Sequence, residues 1–198
     1  MYKRLKKDTK WSILNLGSFD IQNIKKELLS YSDEWLIDET RQQKGLTHSS
    51  TKMYRVCETD YAWAPGTPIE TNYINSLKSK KAIDELNHIF NVLEDYYSGK
   101  IIRCEFIKLL GNSKVLRHTD GGALLHYSRR VHIPLVTNAE IMFTVQHTTI
   151  NMEESQWYEI NNQLPHEVEN PTDLERIHLI IDILPDEMLY LGKEKRSI

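Results

Sequence analysis

From residue 100 onward, apolar residues fall on every second position. Ile102, Cys104 and Phe106 alternate with Arg103, Glu105 and Ile107. Val131, Ile133 and Leu135 alternate with Arg130, His132 and Pro134. Ile177, Leu179, Ile181 and Ile183 alternate with Arg176, His178, Ile180 and Asp182. Successive side chains of an extended chain point to opposite faces, so each run predicts a strand with one apolar face. Ile141–Val145 and Gln156–Ile160 read as further short strands, and Gly111-Asn112 as a turn. Short strands punctuated by turns predict a mainly β fold, a double-sheet jelly roll.

The first hundred residues have a different period. Ile21, Ile24, Leu28 and Tyr31 share one face of a helix running roughly from Ile21 to Tyr31, with Ser18 or Asp20 able to cap it. Ile83, Leu86, Ile89, Phe90, Leu93, Tyr96 and Tyr97 define a second helix from about Lys80 to Tyr97. Gly99 sits where a left-handed glycine would end it. Ile13, Leu14 and Leu16 predict a strand stopping at Gly17, Met53–Cys57 another, and Trp35-Leu36-Ile37 a third. Gln42 to Ser50 and Ala62–Pro68 read as loops. Both helices are expected to pack on one outer face of the sheets.

The 198 residues suffice for one sizeable core. A net charge of −3 gives no electrostatic reason to expect a nucleic-acid partner. No apolar run approaches the roughly 20 residues of a membrane span. The basic N-terminal residues Met1–Lys7 lack a following apolar stretch, so a cytoplasmic protein without a membrane partner is expected. Reduced thiols are expected at the two cysteines, Cys57 and Cys104.

Chemistry concentrates between Arg117 and Asp182. His118 and Asp120 are two apart, so in an extended segment both side chains reach the same side. His166, arriving from a neighbouring strand, would complete two imidazoles and a carboxylate. That donor set suits Fe(II) with one face of its coordination sphere left open. Eight histidines in the chain make a His-x-Asp pair alone a common accident, and the joint spacing is what gives it weight. Ten residues after His166, Arg176 begins an apolar strand on its polar face. A guanidinium turned inward there needs a carboxylate, and its planar fork fits one bidentately. Glu175 or Asp173 could instead pair with it at the strand end. Arg130 and His132 share a face in the same manner, while His178 and Asp182 read as structural hydrogen-bonding groups.

Five segments in this order and spacing resemble the aspartyl/asparaginyl β-hydroxylase family of Fe(II)- and 2-oxoglutarate-dependent dioxygenases. They are Arg117-His118-Thr119-Asp120, Arg130-Val131-His132-Ile133-Pro134-Leu135, Trp157-Tyr158-Glu159-Ile160-Asn161, His166-Glu167-Val168-Glu169-Asn170 and Arg176-Ile177-His178-Leu179-Ile180-Ile181-Asp182. The resemblance implies a double-stranded β-helix, the cupin-like jelly roll, in a single domain over residues 1–198. A helical, substrate-facing part would occupy about 1–100 and the metal-binding core about 101–186. It implies His118, Asp120 and His166 as iron ligands and catalytic centre, Arg176 as the grip on the far carboxylate of 2-oxoglutarate, and Arg130 and His132 as further co-substrate contacts. Oxygen is the other co-substrate.

The activity implied is hydroxylation of an unactivated C–H in an amino acid, or in an Asp, Asn or Pro residue of a peptide, with succinate and carbon dioxide released. A non-catalytic iron or 2-oxoglutarate sensor and a cupin-like metal enzyme are the readings from other classes. His48, Arg55, Trp63, Arg103 and Arg129 are candidates for the pocket mouth. Nothing in the sequence speaks to oligomeric state.

Overall fold

The computed structural model describes residues 11–32, 35 and 46–189. Among them, eleven strands form two antiparallel sheets. In chain order the elements are β1 (Ile13–Ser18), α1 (Gln22–Leu29), β2 (Thr51–Thr59), β3 (Thr71–Tyr73), α2 (Lys80–Tyr97), β4 (Gly99–Leu109), β5 (Ser113–His118), α3 (Ala123–Tyr127), β6 (Arg129–Val136), β7 (Met142–Val145), β8 (Thr148–Ile150), β9 (Gln156–Ile160), β10 (His166–Asn170), β11 (Arg176–Pro185) and α4 (Asp186–Leu189). The major sheet has the order β1-β9-β6-β11-β4-β2-β3, and the minor sheet β5-β10-β7-β8. This is the two-sheet jelly roll expected from the alternation.

The central strands carry two opposed faces. Val131, Ile133, Leu135, Ile177, Leu179, Ile181 and Ile183 lie in one buried cluster with Ile24 and Leu28 of α1 and Leu86, Ile89, Phe90 and Leu93 of α2. Each such side chain removed from water contributes about 1.5–3 kcal/mol, so this layer fixes which face of the major sheet turns outward to the helices. The opposite face turns toward the minor sheet. There Leu109, Tyr158 and Ile160 meet Val115, Phe143, Val145 and Val168. Arg176, His178 and Asp182 share that inner face by the alternation along β11.

The two helices cap each other. Glu85 of α2 accepts the Asn23 and Ile24 N–H groups at 3.0 Å each. Glu27 of α1 accepts the Lys78 and Ser79 N–H groups at 2.5 and 2.8 Å. Both carboxylates therefore satisfy N–H groups at a helix start that have no partner within the helix. Asp20 takes the Gln22 N–H at 3.2 Å, as its position suggested, but most of the capping of α1 comes from α2.

Three local expectations are corrected. The left-handed residue ending α2 is Ser98 (φ 46°, ψ 62°), not Gly99. Gly99 opens β4 instead, where an added Cβ would lie 2.5 Å from the Leu184 carbonyl oxygen, so glycine is needed there for close approach of β11. His166 begins strand β10, so it does arrive from a neighbouring strand. The stretch Gln42 to Ser50 is not all loop: Leu46–His48 form a short 3-10 turn, while residues 42–45 lie outside the described part. Of the proposed strand at 35–37, Trp35 is a buried 3-10 residue and the other two fall outside the described residues.

Candidate metal centre and active site

His118 ends β5 and His166 begins β10, and the two are direct partners in the antiparallel register. Their rings lie 4.3 Å apart. Asp120 follows just beyond β5, its N–H donating to the Asn162 carbonyl at 3.2 Å. One ligand atom from each of His118, Asp120 and His166 falls within 4.8 Å of the others, a spacing that suits a single ion. Asp120 lies 3.9 Å from the Nε2 of either histidine.

The backbone orients both imidazoles. His118 Nδ1 donates to the Leu116 carbonyl at 2.7 Å, and His166 Nδ1 to the Leu164 carbonyl at 3.0 Å. A carbonyl accepts only, so each Nδ1 carries a proton, which leaves Nε2 as the nitrogen turned toward Asp120. Metal-bound histidines are held in this way by their second nitrogen. Two imidazoles and a carboxylate, aimed from adjacent strands, fit a divalent iron centre with open positions.

Farther along the inner face, Arg176 is 3% exposed and lies 5.8 Å above the Phe143 ring. Its Nη2 donates to His178 Nδ1 at 2.7 Å. His178 is buried, and burial first, then the Arg176 and His132 charges, push its pKa well below the usual range. It is thus the neutral Nε2–H tautomer, with that nitrogen buried and lacking a hydrogen-bond partner among the described residues. His132 meets Phe143 edge-on at 5.2 Å and His178 at 5.8 Å, and Phe143 stacks on His166 at 6.3 Å. Phe143 therefore joins the arginine, His132 and the candidate ligand His166 in one interior. The rival partner Glu175 is engaged elsewhere, with Lys108 at 2.8 Å.

Arg130 stands nearer the ligands than its neighbour His132. Its Nη1 pairs with Asp120, while Nε and Nη2 donate to Asp182 at 2.9 and 3.1 Å. Asp182 also takes Arg103 Nε at 2.7 Å. Burial opposes the Arg103 charge, yet Asp182, Glu105 and Tyr61 together hold its pKa well above the usual arginine value.

Beside Asp120 a cavity of about 260 Å³ opens, walled by Arg55, Tyr61, Arg103, Glu105 and Arg130 among others, with His48 at its edge. His48, Arg55 and Arg103 thus stand where the sequence suggested. Trp63 instead packs with Ile102, Leu124 and Leu184. Arg129 is buried against Glu159 at 3.5 Å, in the row where Glu159 accepts the Tyr97 hydroxyl of α2, away from the cavity. Phe143, Glu105 and Tyr61 were not singled out from sequence. The charge alternation of β4 could have flagged Glu105, and nothing local marked the other two.

Residues 18–185 match the family model described as aspartyl/asparaginyl beta-hydroxylase. The chain belongs to that family. It is accordingly a 2-oxoglutarate-dependent hydroxylase. No curated protein is significantly similar in sequence. Among solved structures, a viral collagen prolyl hydroxylase from Paramecium Bursaria Chlorella virus-1 is similar with a TM-score of 0.54 at 10% identity, over 88% of this chain and 96% of that one. A prolyl hydroxylase from Trichoplax adhaerens, solved with a hypoxia inducible factor peptide fragment, gives 0.54 at 12% identity, over 91% and 87%. The non-heme monooxygenase ThoJ, solved as a nickel complex, gives 0.51 at 10%, over 88% and 74%. At these identities the likeness establishes the shared fold.

Proposed function

We propose that this hydroxylase binds Fe(II) at His118, Asp120 and His166 and inserts oxygen into an unactivated C–H of an amino acid, or of an Asp, Asn or Pro residue of a peptide. The carrying observation is the convergence of those three ligand atoms within 4.8 Å, with the buried Arg176 on the same inner face. The balance is one C–H, one O₂ and one 2-oxoglutarate giving one C–OH, one succinate and one CO₂. When bound, iron with 2-oxoglutarate supplies oxygen activation coupled to decarboxylation.

The chain's residues do the rest. His118 and His166 hold their lone pairs toward one point through carbonyl-anchored rings. Arg176 grips the far carboxylate of 2-oxoglutarate. His178, accepting from Nη2, keeps the guanidinium plane fixed for that grip. His132 and Phe143 wall the same interior and exclude water, which strengthens the ion pair by lowering the local dielectric. Arg130 steadies the Asp120 carboxylate and bears on the co-substrate from the metal side. The whole chain, 1–198, acts as one domain in this reading, in the cytoplasm. No helix among the described residues is long and apolar enough to cross a membrane.

Family membership and the retained carboxylate ligand favour catalysis over a purely sensing role. The test is succinate formation from 2-oxoglutarate by purified protein with Fe(II) and oxygen, against the His118→Ala variant. Succinate from the wild type alone supports the reading. Equal yields from both, or none from either with every amino acid and Asp-, Asn- or Pro-containing peptide offered, would sink it.

A further inference from the structure

Asp120 has two carboxylate oxygens, and Arg130 occupies one of them. Its Nη1 donates to Oδ2, which leaves Oδ1, 3.9 Å from His118 Nε2, for an ion. A carboxylate that grips an ion with both oxygens takes one of the positions that two histidines and a carboxylate otherwise keep open. The direction in which Arg130 points therefore bears on how the centre works.

Arg130 is not free to turn. Its Nε and Nη2 form a fork on Asp182, at 2.9 Å to Oδ1 and 3.1 Å to Oδ2. With that edge of the guanidinium plane fixed, Nη1 is the nitrogen left to reach Asp120. Asp182 is itself clamped from β4, where Arg103 reaches its Oδ2 through Nε at 2.7 Å and Nη2 at 2.5 Å. The remaining Arg103 nitrogen, Nη1, donates to the Tyr61 hydroxyl at 3.0 Å. Asp182 is 0% exposed and stands between the two arginines in the register. The row thus runs Tyr61, Arg103, Asp182, Arg130, Asp120, each group set by the one behind it.

Stability alone does not call for such a row. Replacing buried ion pairs by well-packed apolar groups is often neutral or stabilising. The same inner face of β11 buries Ile180, two residues earlier, against Met53 and Ile107. What the charges add is orientation, because a fully bonded buried network holds one geometry. We propose that Asp182 is the positioning residue of the metal centre, acting through Arg130 to keep Asp120 Oδ2 engaged and to offer Oδ1 alone to the ion. The proposal rests on the assignment of His118, Asp120 and His166 as ligands and deepens it. Its effect passes through one guanidinium, so it must vanish when that guanidinium is removed.

The experiment titrates Mn(II) calorimetrically into full-length protein under nitrogen. No co-substrate is present, so any bearing of Arg130 on 2-oxoglutarate does not enter. Circular dichroism confirms that each variant is folded at the temperature used. Asp182→Asn should weaken Mn(II) roughly 10- to 100-fold, the usual cost of losing a group that orients a metal ligand. In an Arg130→Gln background the same change should alter affinity by no more than about twofold, the scatter of sites that do not interact. Glu159→Gln is the control. It takes a buried carboxylate from Arg129 on the same sheet, away from the centre, and should leave Mn(II) affinity as in the wild type. The Co(II) form adds a spectroscopic check, its visible ligand-field bands changing in Asp182→Asn and not in Glu159→Gln. If Asp182→Asn does not fold, Asp182→Glu takes its place. It keeps the counter-charge, displaces the carboxylate by one methylene, and should still weaken Mn(II).

An unchanged Mn(II) affinity in the folded Asp182 variant overturns the positioning role and leaves the hydroxylase reading standing. So does a loss of equal size with and without Arg130, or a comparable loss in Glu159→Gln. If the wild type itself binds no Mn(II), the ligand assignment falls and the proposal with it.

Discussion

Asp182 of β11 lies directly opposite Arg130 of β6 and, on its other side, opposite Arg103 of β4. One fully buried carboxylate thus serves two guanidinium groups on both neighbouring strands. Because Arg130 continues to Asp120, this cross-strand row ties the middle of the major sheet to the proposed metal centre.

Replacing Asp182 by Asn should therefore destabilise the fold strongly. It leaves two buried cations without their counter-charge, and breaking such a pair costs about 3–5 kcal/mol. Urea unfolding of the wild type and Asp182→Asn checks this. A loss below about 1 kcal/mol would show that water or Asp120 compensates the arginines.

Metal should stabilise the protein through the three ligands. An ion at one hundred times its dissociation constant adds about 2.7 kcal/mol. Thermal unfolding with and without Mn(II) under nitrogen should show an upward shift for the wild type and none for His166→Ala. A shift retained in His166→Ala would place the ion elsewhere.

Arg176→Gln should leave metal binding intact and weaken 2-oxoglutarate by about 2–4 kcal/mol, roughly 30- to 700-fold. Calorimetric titration of 2-oxoglutarate into the Mn(II) form measures it. An unchanged affinity would remove Arg176 from the co-substrate site.

His178 gives the pH dependence a sign. Its pKa is lowered in the folded state by burial and by Arg176, so below the unfolded value of about 6.5 the unfolded chain takes up a proton that the folded chain refuses. Its contribution is fully present above that pH and is lost on acidification toward the folded pKa, with a slope of at most about 1.4 kcal/mol per pH unit. Denaturation curves between pH 7.5 and 5 should fall more gently for His178→Gln than for wild type. Parallel curves would mean that His178 titrates alike in both states.

The turn after α2 makes a paired prediction. Ser98→Gly should stabilise by about 1 kcal/mol, because a non-glycine residue in the left-handed region costs that much. Gly99→Ala should destabilise by about 1–3 kcal/mol, since its methyl would crowd the Leu184 carbonyl. Thermal or urea unfolding reads both.

The central strands were legible because a two-residue period survives wherever one face is buried against helices, as in β6 and β11. The proposed metal ligands could be picked out through spacing, and Arg176 through its place on the polar side of β11. Strand β5 was not, since only Val115 in it is buried and an edge strand leaves no alternation to read. The bond from Arg130 to Asp182 needs the register of two strands some fifty residues apart, which no local pattern encodes. Arg103 and Glu105 were visible as charges alternating with apolar residues. Recognising that they face a cavity required knowing that β4 lies beside β11, inside the sheet.

The helix-facing layer also has a protective consequence. Cys57 and Cys104 are register partners on β2 and β4, both free and fully buried beneath the helices, on the far side of the sheet from the proposed metal ligands. Burial pushes the Cys57 thiol up to about 12, and burial with the neighbouring thiol pushes Cys104 well above its usual range. At neutral pH both thiols therefore stay protonated, and the thiolate is the form that oxidants attack. A protein that handles oxygen for a living occasionally releases stray oxidant. Here both thiols are kept protonated behind a wall of β-sheet, so failed turnovers should exhaust the proposed iron site before they reach the core cysteines.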